Sequence, residues 1–437
     1  MRGVWSPLIL AVALVGLVGY IYFVDSKRDP SGTTAREKPF TSVQADDIEE
    51  IQVKSAEGET TRLQKADGKW QLVEPVQAAA DTGELTTIAS SLSSLEIQRV
   101  VDENAGDLKQ YGLEPARIEI GFRSKGQKDV RRLQIGEKTP TGSDLYARFP
   151  DQKRVFLVSS YLDSTFNKNT FALRDRRILV FDRNTVDGLD LTSGTSKTSL
   201  AKSGSEWRLT SPVSVRADFA AVEGALERLS STQMQGIVDA EGKELAKYGL
   251  TKPTGTIAVK TGSSSAALTL GSTENALLFA KDSSRPMVFT IAPVLKDDVI
   301  RTVADFRRKD LFDGRAFTAT RAELKRGAET IVLEKSKGKD NMDVWKSSGK
   351  DVDATKVDDL LTKLTGLRAA SFEDKPDPSL KTPALVVIVA FGENKQETVT
   401  FGRSGANVVA SRSDEPGTAK VEGSGLDDVM KAIDAVK

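Results

Sequence analysis

The first pattern along the chain is an apolar stretch from Val4 to Val24, uncharged and interrupted only by Ser6, Pro7, Gly16 and Gly19. A run of about 20 such residues crosses a hydrocarbon layer of roughly 30 Å as a helix. Trp5, Tyr20 and Tyr22 sit near the two ends, where interfacial aromatics belong, so residues 4–24 predict a single membrane-spanning helix. Tyr20-Ile21-Tyr22-Phe23-Val24 lacks the small residues of a cleavage site, which favours a retained anchor over a removed leader. Arg2 on one flank and Lys27 and Arg28 on the other nearly balance the positive-inside count. The short N-terminal tail favours an inside N-terminus with the body outside. Residues 29–45 then read as a polar linker.

Beyond the linker the hydrophobic period alternates between two and 3.6 residues. Ile51 and Val53, Thr61 and Leu63, and Trp70 and Leu72 alternate across turns at Gly58 and Gly68, which predicts a hairpin meander. Leu85, Ile88, Leu92 and Leu95 then fall on one helical face, with Asp81 as N-cap. Alternation returns at Ile118/Ile120/Phe122 and Leu133/Ile135, followed by the apolar run Val155 to Val158.

This series recurs. Trp70, Trp207 and Trp345 lie at nearly equal intervals, and other landmarks keep their order around them. Pro75 and Asp81 match Pro212 and Asp218, and Asp353 takes the same place in a third copy. Tyr111-Gly112-Leu113-Glu114-Pro115 matches Tyr248-Gly249-Leu250-Thr251-Lys252-Pro253. Gly136 matches Gly271, with Gly402 in the third copy, which otherwise loses the Tyr-Gly-Leu element. The helical stripe also recurs, as Val222, Leu226 and Leu229 and then as Val357, Leu360, Leu361, Leu364 and Leu367. The closing segment Asp427–Ile433 is similar to Asp297–Val303 of copy two.

The expected fold class is therefore α+β. One N-terminal transmembrane helix precedes three repeated units, each a small, mainly antiparallel sheet with packed helices. The expected boundaries are 1–28 for the anchor, 29–45 for the linker, 46–182 and 183–313 for units one and two, and 314–437 for a divergent unit three.

Composition narrows the chemistry more than it suggests any. Lys+Arg and Asp+Glu both number 62, so there is no net charge to draw the chain to nucleic acid. Cysteine and histidine are absent, which excludes disulfides, thiolate nucleophiles, Cys/His zinc sites and imidazole-based triads. No catalytic, cofactor-binding or metal-binding residue is expected. Asp81 and Asp218 recur and are carboxylates, but an Asp before an amphipathic helix is more simply its cap. The Tyr-Gly-Leu elements read as turns with Gly at positive φ. Tyr146-Ala147-Arg148, echoed by Phe279-Ala280-Lys281, offers Arg148 as an anion contact, although alternation on a strand explains it equally. The most charged repeated element, Arg174-Asp175-Arg176-Arg177, is echoed by Arg307-Arg308-Lys309-Asp310. Arg174, Arg176, Arg177, Arg307 and Arg308 are thus candidates to hold an anion or a partner, with a solvated crossover as the plainer reading.

With its Trp–Pro–Asp helix, Tyr-Gly-Leu-x-Pro turn, Ile-Gly strand end and Tyr-Ala-Arg strand, the chain resembles a bacterial family, domain of unknown function 4340 (DUF4340). The resemblance is densest over residues 46–180, clear over 184–313 and thin beyond. It implies one N-terminal helix and association with gliding-motility-type ABC transporter components; the family has no established catalytic residues to carry over. The favoured expectation is a non-enzymatic accessory or scaffold subunit at the bacterial inner membrane, with its body on the periplasmic side. Its expected partners are the lipid bilayer through residues 4–24 and transporter membrane subunits. A periplasmic lipid- or glycan-binding module is the alternative, and a carboxylate-dependent hydrolase the least favoured.

Overall fold

Each of the three repeats folds into a nine-stranded antiparallel sheet, and all three share one connectivity. Counted from the first strand of each sheet, the order is 4-3-2-1-6-7-8-9-5. The computed structural model describes residues 36–338, 342–392 and 395–437. The chain divides into two units after Arg176; the first holds one sheet, within residues 48–159, and the second holds two, within 188–291 and 319–421.

The central strands obey the period of two. Leu385–Phe391, for example, alternates fully buried with partly buried positions along its whole length. The helix of each repeat presents its apolar stripe to the inward-facing strand residues. In the first repeat Leu85, Ile88 and Leu92 of the helix Thr82–Ser93 share one core with Ile51, Val53, Leu63 and Leu72. The helices Phe219–Ser231 and Ala354–Thr365 bury corresponding stripes. Phe40 and Val43, within the expected polar linker, are buried in the first core, and Phe40 meets Phe122 edge-on at 4.8 Å.

A second, smaller core lies on the other face. Leu113 and Ala105 cover Val155, while Phe156 and Val158 of the same strand face the helix. Strand Val155–Ser159 is therefore apolar without alternation because both of its faces are covered. In the second repeat Tyr248 and Leu250 cover Val288 in the same manner.

The expected fold class is corrected on two points. The repeats are mainly β, with nine-stranded sheets in place of small sheets in an α+β arrangement. The extra strands escaped notice because several are too short or too exposed to show alternation, such as Ala78–Ala79 and Arg99–Asp102. On the second point, the expected transmembrane helix, no helix among the described residues is long and apolar enough to cross a membrane. Residues 4–24, on which that expectation fell, lie outside the described residues. The closing helix of the third repeat is one continuous element, Gly423–Ala435, whereas its second-repeat counterpart is broken into Val294–Val299 and Val303–Phe306.

Candidate functional site

Within the second unit the chain leaves repeat two through the short helix Val303–Phe306 and enters repeat three along residues 307–314. This crossover is held as a strand would be. Arg307 bridges Ala217, and the Arg308 amide donates to the Arg216 carbonyl at 3.0 Å. Further on, the Ala369 amide donates to the Lys309 carbonyl at 2.8 Å, and the Leu311 amide to the Leu367 carbonyl at 3.2 Å. The backbone thereby delivers Arg216, Arg307, Arg308 and Asp313 to one place. Strands Lys395–Ser404 and Asn407–Arg412 of repeat three supply Glu397 and Arg412, and the following turn supplies Asp414 and Glu415.

The result is a buried, densely paired charge cluster. Arg216 donates through Nε to Glu415 at 2.7 Å, through Nη1 to Asp313 at 2.6 Å, and through Nη2 to the Asp310 carbonyl at 2.9 Å. Its own backbone amide also donates to Glu415, at 2.8 Å. Arg412 forks onto both oxygens of Asp414 at 2.9 Å and reaches the Leu311 carbonyl at 2.6 Å and Glu397 at 3.3 Å. Glu397 in turn accepts from the backbone amides of Asp313 and Gly314. Arg307 reaches the Pro416 carbonyl at 3.1 Å and lies 3.9 Å over the Phe372 ring. Side-chain exposure is only 6% at Arg216, 5% at Arg412, 2% at Glu397 and 4% at Glu415, so these charges survive because they neutralise one another.

The electrostatics follow. Burial alone would raise the Asp313 carboxyl, but Arg216, Arg308 and Arg412 outweigh it and hold the pKa below the usual range. Burial disfavours the charge of Arg412 as well, yet Asp414, Asp313 and Glu397 raise its pKa. At Arg307 burial prevails over Glu415 and lowers the pKa. The space enclosed beside Arg216, Arg307, Arg412 and Phe372 is about 10 Å³, room for one water and no ligand.

The second repeat meets the same structural demand with different residues. Leu311 corresponds to Ile178, where the chain enters repeat two. Arg285 donates to the carbonyls of Ile178, at 3.0 Å, and Arg177, at 2.7 Å, and is itself braced by Asp282 at 2.8 Å. The entry carbonyl is thus held by an arginine in both repeats, from Arg285 in one and Arg412 in the other. By sheet register Asp282 and Arg412 occupy equivalent positions, so the charge at that place is inverted between the copies.

The residues singled out in the sequence are dispersed. Asp81 accepts from the amides of Gly83 and Glu84, Asp218 from Ala221 and Asp353 from Thr355, each at the start of its helix. Replacing Asp218 with Ala is expected to cost about 0.5–2 kcal/mol, read as a lowered urea midpoint. Tyr111 packs on Tyr146 at 4.9 Å and Tyr248 on Phe279 at 4.9 Å, under turns in which Gly112 and Gly249 take positive φ. Pro75, Pro115 and Pro212 follow cis peptide bonds, whereas Pro253 does not. Trp70, Trp207 and Trp345 are buried, and each carries the ammonium of its cross-strand lysine, Lys65, Lys202 or Lys335, within 6.0 Å of the ring. Arg148 donates to the carbonyl of Gln152 in its own turn. Arg174 bridges Ala80, Arg176 is partly buried just after it, and Arg177 bridges Gln233. Of the candidate arginines only Arg307 and Arg308 enter the cluster.

Arg216, Arg412, Glu397 and Glu415 escaped the sequence reading. The signal available was departure between copies: Arg216 stands where the first repeat has Ala79, and Glu397 where the second has Ala266. Among the described residues no group of acidic side chains is arranged to hold a metal ion.

This architecture defines a protein of repeated, mainly β modules, two of them joined through buried charge. A family model described as domain of unknown function (DUF4340) matches residues 70–206 and 207–384, well over half of the chain. The chain belongs to this family. No curated protein matches it. A crystal structure of DNA polymerase sliding clamp from Pseudomonas aeruginosa with ligand aligns over 88% of this chain and 93% of that one, at 10% identity and a TM-score of 0.14. That likeness is too low to carry an argument.

Proposed function

We propose that this DUF4340 protein is a non-enzymatic interaction scaffold, an accessory subunit of ABC-type transport machinery at the outer face of the bacterial inner membrane. The observation that carries the reading is how the charges between repeats two and three are used. Arg216, Arg412, Asp313, Glu397 and Glu415 are turned on one another and on backbone groups, which rigidifies the link between two repeats. A catalytic acid or base needs room for substrate beside it, and none of Asp313, Glu397 and Glu415 lines the cleft of about 370 Å³ that opens beside Arg216 and Arg308. A rigid pair of like modules suits the display of surfaces to other proteins. The association with transport machinery draws on the family resemblance alone.

The test is purification of the tagged full-length chain from membranes in mild detergent, with bound proteins identified by mass spectrometry. Recovery of an ABC-type permease or ATPase in constant ratio is expected. Recovery of neither, from cells in which both are expressed, overturns the proposal.

A further inference from the structure

The junction between repeats two and three is built from parts whose counterparts repeats three and one carry without a partner. Two backbone hydrogen bonds hold the chain along the outer edge of a repeat as it leaves. In the first repeat the Asp81 amide donates to the Leu173 carbonyl and the Asp175 amide to the Ala79 carbonyl, each at 2.9 Å. In the second the Asp218 amide donates to the Phe306 carbonyl at 2.7 Å, and the Arg308 amide to the Arg216 carbonyl at 3.0 Å. Sheet register counted from Trp70, Trp207 and Trp345 puts Asp351 in the place of Arg216 and Asp353 in that of Asp218. Lys350–Val352 is an edge strand that pairs only with Asp343–Ser347. Among the described residues nothing lies along its outer side, so the Asp351 carbonyl and the Asp353 amide have no backbone partner there. Such an edge is a template for another strand, and the first two repeats show which kind of segment takes it.

The first repeat carries the other half. The Ile97 amide donates to the Glu37 carbonyl at 2.8 Å, as the Ala369 amide does to that of Lys309, so residues 36–40 lie on repeat one as 308–312 lie on repeat three. Sheet register then sets Arg131 in the place of Glu397, Phe149 in that of Arg412 and Gln152 in that of Glu415. In repeat three these positions close around Arg216; in repeat one they line an open cleft of about 460 Å³. Arg131 is exposed, lies over the Phe122 ring at 5.7 Å and joins no ion pair among the described residues. Of the other charged residues lining the cleft, Arg132 is engaged by Glu119, and Asp151 takes the place of the outlying Asp414. The charges of the junction are thus exchanged: the edge residue changes from Arg216 to Asp351, and the receiving Glu397 to Arg131. Asp351 is also exposed and without an ion pair among the described residues. From this correspondence we infer that the chain associates head to tail with a second copy of itself. The edge 350–353 of one copy lies along residues 36–38 of the other, the Arg36 amide donates to the Asp351 carbonyl, and the Asp351 carboxylate enters the cleft to pair with Arg131. The contact joins two different surfaces, so it repeats from copy to copy unless the rotation closes. It involves this chain alone and stands apart from any transporter partner.

Sedimentation velocity of the purified full-length chain in mild detergent, over a wide range of concentration and at low and high salt, tests this. Association that grows with concentration and weakens with salt is expected. Arg131→Glu and Asp351→Arg, both at exposed positions, should each weaken it about tenfold or more. The two variants mixed should associate again. Asp351 of one then meets Arg131 of the other, and the exchanged charges match at the second contact. That recovery separates a broken contact from a misfolded chain, because a misfolded variant would not regain it. A wild-type chain that stays a single copy at every concentration overturns the inference, including the case in which another protein takes the edge. So does association that neither substitution weakens, or a mixture that associates no better than its components.

Discussion

Replacement of Arg216 by Ala is expected to destabilise the second unit by roughly 3–5 kcal/mol, the usual cost of removing one partner from a buried ion pair. The loss is large because Arg216 serves Glu415 and Asp313 at 2.7 and 2.6 Å, and its departure leaves both carboxylates under-compensated in a dry setting. Arg216→Lys should recover only part, since an ammonium cannot reproduce the fork that also reaches the Asp310 carbonyl. The urea midpoint reads the magnitude. Amide exchange across residues 307–314 reads the place, because the Arg308 and Leu311 amides should lose protection first. A cost below about 1 kcal/mol would mean that the cluster behaves as a solvated surface network.

The same substitution carries a pH signature. Asp313 has its folded pKa depressed by Arg216, Arg308 and Arg412 against the opposing effect of burial. A depressed carboxylate contributes stability that is complete above the unfolded value, about 3.9, and is lost as pH falls through the folded value. The wild-type chain should therefore lose this contribution below about pH 4. The gap between wild type and Arg216→Ala should narrow over that range.

The cluster was hidden in the sequence for a physical reason. Arg216 sits on a strand of two residues, too short to show a period, and Glu397 and Arg412 lie on strands where a polar residue ordinarily points to water. Only pairing across two repeats makes their inward placement tolerable. The helices were legible because Leu85, Ile88 and Leu92, or Leu360, Leu361 and Leu364, need only their own spacing to declare a buried face. The repeats were legible because Trp70, Trp207 and Trp345 hold equivalent core positions. The fifth strand of each sheet was not: Arg99–Asp102 carries no fully buried residue and owes its pairing to the neighbouring edge, Val155–Ser159.

Gly271→Ala is expected to destabilise its repeat by about 3 kcal/mol, at the upper end of the range for overpacking. A Cβ there would fall inside contact distance of the Tyr248 carbonyl oxygen, and Gly136 meets Tyr111 in the same way. The obstacle is backbone, so no side-chain rotation relieves it, and the Ser272 amide donates to that very carbonyl at 2.9 Å. Moving the turn away would break this hydrogen bond, separate Tyr248 from Phe279 and uncover Val288. In the third repeat Gly402 faces Ser379 and Leu380, so the close approach persists although the Tyr-Gly-Leu element is gone. The backbone there stands farther off, with the Ser379 carbonyl carbon 2.8 Å from an added Cβ against 2.0 Å for the Tyr248 oxygen, and Gly402→Ala should therefore cost less than Gly271→Ala. Urea unfolding of the two variants, with Tyr248→Phe as a control that keeps the ring and removes only its 3.3 Å hydroxyl bond to the Val238 carbonyl, checks the order. Equal losses at Gly271 and Gly402 would show that the cost comes from the strand itself and not from the turn that covers it.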